Sequence, residues 1–200
     1  CIRDRHQVAR ILNWNEELAY VLKENLKKDS KELAEIWSSW ASEVAADTFA
    51  FAHTGYAAIA SLHDVLSGNN KWVFRWLPYD PHPINYIRVL LGIAMCEKSF
   101  GDGPWQSLKN AWLSKHPLSN AERETRLILK NSLPLLPKIV NISLHYPLRA
   151  FGQKALSDWL PLQKVHPRTL RRLASGVGNA LFHSSYWLNK EAIRLLALNG

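Results

Sequence analysis

Two carboxylates, Glu43 and Asp47, stand four positions apart in the run from Trp40 to Gly55, which is otherwise almost wholly apolar. That spacing places both acids on one face of a helix, one turn apart, with Trp40, Ala50 and Thr54 along the same stripe. Two like charges so placed disfavour the helix by roughly a few tenths of a kcal/mol, and burying an unpaired carboxylate costs far more. Something cationic must therefore meet them, whether a metal ion, an arginine or a histidine. The chemistry open to such a pair is metal ligation or a buried ion pair.

The other chemical motifs are sparse. Eight histidines occur, none in His-Glu-x-x-His, and there is no Cys-x-x-Cys, so a complete local zinc motif is absent from the sequence. The stretch His6-Gln-Val-Ala-Arg10 holds only the first histidine of such a motif and reads as chance. No Gly-x-Ser-x-Gly elbow, phosphate-cradling loop or dinucleotide fingerprint is present, and the Gly176 and Gly178 pair is too short to count. Later in the chain than the two acids stand His82-Pro83 and then Arg88.

This order resembles the gluzincin metallopeptidases related to the CAAX-prenyl endopeptidases and the bacterial membrane heat-shock proteases. In them a His-Glu-x-x-His helix is followed by Glu-x-x-x-Asp on a second helix, then by His-Pro with an arginine a few residues later. Glu43-Val-Ala-Ala-Asp47 is similar to the second element and His82-Pro-Ile-Asn-Tyr-Ile-Arg88 to the third, over about residues 40–91. The resemblance implies that Glu43 is a zinc ligand and Asp47 orients a ligand histidine. It makes His82 or Arg88 a positive group that pairs with Asp47 or steadies the oxyanion of a tetrahedral intermediate.

The resemblance further implies a peptide or protein substrate and zinc as cofactor. The His-Glu-x-x-His helix itself is missing, so the expectation is that a segment upstream of Cys1, or a partner chain, carries it. The competing expectation is a degenerate relative without hydrolytic activity. The residues also admit a plainer account, in which Glu43 and Asp47 form a polar stripe or ion pair with Arg88 and His82 is a turn residue. His53, His63, His116, His145, His166 and His183 read as ordinary surface or core histidines. Cys1 as an amino-terminal nucleophile is a further, weaker option.

The elements that must position these residues read as helices. Expected are Ile2 to Trp14, with Arg3 and Arg5 outward, Leu18 to Lys28, a long helix from Asp29 or Ser30 to Thr54, Tyr56 to Leu66, Asn85 to Phe100 and Trp105 to Ser114. Lys71 to Tyr79 reads as a short strand or extended arm, and Ser119 to Glu122 as a capping box before Arg123 to Asn131. Thr169 to Leu173 and Trp187 to Leu198 complete the helical set. The fold class is all-α, an irregular multi-helix domain forming part of a larger protein. Residues 1–115 are expected as a helical core and residues 116–200 as a more irregular part packed on it. The nine tryptophans read as core packing.

Composition narrows the class. A chain of 200 residues with 47% hydrophobic content can bury a substantial core. Two cysteines without a disulfide spacing suggest a reducing, cytoplasmic setting, and the longest clean apolar run, Val89 to Cys96, falls far short of the ~20 residues of a membrane span. The net charge of +8 and the cluster Lys164, Arg168, Arg171 and Arg172 support an alternative function. That alternative is a non-catalytic helical module binding an acidic protein or nucleic acid. The leading expectation is a portion of a soluble zinc metallopeptidase that supplies the glutamate ligand and part of the substrate cleft.

Overall fold

A computed structural model describes the backbone of residues 2–199 and the side chains of residues 6–198; Cys1 and the side chains of Arg3 and Arg5 lie outside them. The described residues are helical, with one isolated bridge between Leu148 and Lys154 as their extended pairing. The all-α expectation holds. No described helix is long and apolar enough to cross a membrane.

The chain begins with α1 (Ile2–Ile11), α2 (Trp14–Leu26) and α3 (Lys31–Ser39). Ser30 caps α3, its hydroxyl accepting from the Leu33 amide at 3.2 Å. The long helix expected up to Thr54 is broken: Trp40 leaves helical geometry at φ −88° and ψ 0°, and α4 (Ala41–Thr54) starts afresh. At the end of α3 the Ile36 carbonyl accepts both the Trp40 amide at 3.2 Å and the Ser39 hydroxyl at 2.7 Å. Trp37 and Trp40 are both buried beside the break, edge to face with centroids 5.2 Å apart.

Gly55 then turns the chain from α4 into α5 (Tyr56–Leu66) with φ 59° and ψ −134°. A Cβ there would lie 2.7 Å from the Val165 carbonyl oxygen, so the turn needs glycine for its dihedral and for room. The stretch expected as a strand or arm instead opens with α6 (Asn70–Val73), capped by the Asn69 side chain, and continues in turns through the prolines to α7 (Asn85–Phe100). Asn69 overrides the β-prone Trp-Val-Phe sequence by accepting from the Trp72 amide at 3.0 Å. Gly92 lets α7 approach α5, since a Cβ would come within 2.7 Å of Ile59.

Beyond α7 lie α8 (Trp105–Lys115), α9 (Arg123–Ser132), α10 (Leu136–His145), α11 (Leu156–Trp159), α12 (Pro167–Val177), α13 (Ala180–His183) and α14 (Ser185–Asn199). The capping box expected at Ser119 does not form; residues Leu118–Asn120 make a 3-10 turn and α9 starts after Glu122 without a side-chain cap. One hydrophobic core runs from Ala9 to Val165 and takes in α2, α4, α7 and α10. Trp14, Trp37, Trp40, Trp105 and Trp112 are fully buried. Large side chains withdrawn from water in this way each contribute roughly 1.5 to 3 kcal/mol. Trp72 and Trp159, also expected in the core, are exposed.

Candidate functional site

One face of α4 carries Glu43, Ala46, Asp47, Ala50 and Thr54, the periodicity of one helical stripe. Together with Ala57, Ala58, Leu62 and Leu66 of α5, this stripe walls a cavity of about 590 Å³. Leu196 of α14 closes one side, and His6, His82 and Arg88 join the two acids among its lining residues. The cavity is therefore apolar over most of its wall and charged where α1, α4 and α7 meet.

Arg88, on α7, is the cation that the two acids require. Its Nε donates to Asp47 Oδ2 at 2.5 Å and its Nη2 to Asp47 Oδ1 at 2.9 Å, a bidentate pair, while Nη2 also reaches Glu43 Oε2 at 2.6 Å. The three side chains are 10–14% exposed. Burial works against the guanidinium charge, but the Asp47 hydrogen bond and the charges of Asp47 and Glu43 outweigh it and raise the Arg88 pKa above its ordinary value. Arg88 thus stays charged and fixes both carboxylates.

Two histidines approach the other Glu43 oxygen. His6 Nε2 lies 3.1 Å and His82 Nε2 3.7 Å from Glu43 Oε1. His6, which carries only a fragment of a zinc motif, joins the site by packing: α1 lies along α4 and brings its ring to Glu43 and, through Nδ1, within 3.2 Å of the Ser42 hydroxyl. Ser42, His6 and Glu43 are connected like a Ser-His-acid triad, but Ser42 is not among the cavity-lining residues, so this arrangement offers no nucleophile to a bound substrate.

His82 is held from behind. Its Nδ1 pairs with Asp80 Oδ1 at 2.7 Å, and the same oxygen accepts the His82 backbone amide at 3.0 Å. That amide, ahead of the imidazole, lowers the Asp80 pKa below its ordinary value. With Nδ1 beside Asp80, Nε2 of His82 is the ring nitrogen that faces Glu43 Oε1. The signal for Asp80 was present in the sequence as Asp-Pro-His before the helix, an acid two positions from the histidine whose backbone it can bind. His6 had no comparable signal, since helix packing alone brings it to residue 43.

Imidazole nitrogen and carboxylate oxygen are zinc-binding donors in kind. In arrangement they do not suffice: among the described residues, no group of three or more His, Cys, Asp or Glu side chains is placed to hold a metal ion. Zinc coordination does not close on these residues by themselves. Comparison with protein-family models, curated proteins and solved structures finds no match.

Proposed function

We propose that this chain is the glutamate-bearing part of a zinc-dependent peptidase, with the His-Glu-x-x-His helix contributed from outside these 200 residues. The observation that carries the reading is the division of labour at Glu43. Arg88 holds Oε2, and Oε1 lies beside two histidines, His6 and His82, that line the same cavity. In this reading Glu43 is the metal ligand, and Asp47 acts through Arg88 to fix the carboxylate's orientation. His82, steadied by Asp80, is the positive or proton-bearing group beside the substrate. The apolar wall of α4 and α5 is part of the cleft that receives a peptide, and the reaction class is peptide-bond hydrolysis.

The test is zinc content and peptide hydrolysis in the intact protein and in its Glu43→Gln variant. The variant is expected to lose zinc and to fall by more than about 100-fold in hydrolysis, beyond what loss of a ligand-orienting group brings. Equal zinc retention with equal hydrolysis overturns the reading.

A further inference from the structure

The last 41 residues, 160–200, hold six lysines and arginines against one acid, Glu191. Glu191 is itself spoken for, since Arg194 Nη1 pairs with it at 2.9 Å. On α12 the arginines at positions 168, 171 and 172 share one face by their i, i+3 and i+4 spacing, and all three are exposed. The opposite side of that helix buries Leu170. Helices α13 and α14 pack against α12, so this basic face belongs to a small helical unit at the end of the chain.

The same unit exposes large apolar side chains: Phe182, Tyr186, Leu188, Ile193 and Leu196, the last 69% exposed. Lys190 lies over the rings of Tyr186 and Trp187, its Nζ 5.2 and 5.7 Å from their centroids. Basic residues alone would suit any polyanion. Phe182 and Tyr186 suit a base or a lipid interface alike, so Leu188, Ile193 and Leu196 discriminate: they gain by leaving water for hydrocarbon and have no ring to stack on a nucleic-acid base. Arginine and lysine beside aromatic and aliphatic side chains are the composition of a segment that lies in a lipid interface.

We propose that the α12 to α14 unit docks on an anionic membrane surface, with Arg168, Arg171 and Arg172 against the headgroups and side chains of α14 in the headgroup–acyl boundary. Charge complementarity selects the surface, and the exposed aliphatic side chains select lipid over other polyanions. No helix crosses the bilayer in this arrangement. The proposal does not rest on the peptidase reading, although Leu196 also lines the cavity beside Glu43.

The experiment is co-sedimentation of the chain with vesicles of phosphatidylcholine alone and of phosphatidylcholine with 30% phosphatidylserine, set beside binding to a short DNA duplex. Binding is expected to the anionic vesicles only, and to fall steeply between 0.1 and 0.5 M NaCl. Changing Arg168, Arg171 and Arg172 together to Gln is expected to weaken it by about 100-fold. Changing Ile193 and Leu196 together to Ser should weaken it by at least about tenfold. Equal binding to both vesicle types, binding to neither, or a preference for the duplex overturns the proposal. The salt arm on the unaltered chain tests the same claim without any substitution.

Discussion

Charge is handled in opposite ways at the α4–α7 corner and on α12. At the corner, Glu43, Asp47 and Arg88 are packed together at 10–14% exposure and satisfy one another by direct hydrogen bonds. On α12, three arginines stand in water on a helix that contains no acid. The difference separates two meanings of a charged residue. A buried charge is tolerated only with its partner in place, so the corner is a unit that succeeds or fails as a whole. An exposed charge places little demand on the fold, and its effect reaches outward to whatever approaches.

The largest expected effect comes from removing the partner at the corner. Arg88→Met leaves two carboxylates facing each other out of solvent and is expected to cost about 3 to 5 kcal/mol, read from the midpoint of chemical denaturation. Adding Glu43→Gln and Asp47→Asn to that variant should restore most of the loss, because no uncompensated charge remains. A cost below about 1 kcal/mol for Arg88→Met would show the acids to be solvated and would erase the contrast with α12.

His6→Ala is intermediate. The ring is about a quarter exposed and makes one contact each to Ser42 and Glu43, so the expected loss in the same denaturation assay is under about 1 kcal/mol. A loss as large as that of Arg88→Met would make His6 a third essential member of the corner. Smallest of all, replacing the three α12 arginines by Gln should change stability by no more than about 0.5 kcal/mol. A larger loss would mean that α12 depends on those charges for folding, against their exposure.

The fold class was legible because helical periodicity is written locally. Tyr56 to Leu66 and Asn85 to Phe100 lie where their apolar spacing put them. At both departures, Trp40 and Asn69, a small polar side chain bonds a backbone group. The Ser39 hydroxyl shares the Ile36 carbonyl with the backbone where α3 ends, and Asn69 began a helix where aromatic residues suggested a strand. At the site, Glu43, Asp47, His82 and Arg88 were visible as residue types in order, and the structure brings all four together. His6 and Asp80 were missed for different reasons. Asp80 acts through a two-residue backbone contact of low specificity, whereas His6 depends on how α1 lies across α4, which no local pattern states.

The interruption at Trp40 has an electrostatic consequence for Glu43. Because α4 begins at Ala41, Glu43 falls in the opening turn of a helix. There the amide hydrogens have no carbonyls behind them, and the aligned peptide dipoles present their positive end. A carboxylate in that position gains typically ~0.3–1 kcal/mol relative to one placed mid-helix, a preference that adds to the pull of Arg88. Had Ser30 to Thr54 run on as a single rod, the same glutamate would lie deep in its interior, beyond reach of that field. The break at Trp40 thus takes part in keeping an anion beside an apolar cavity.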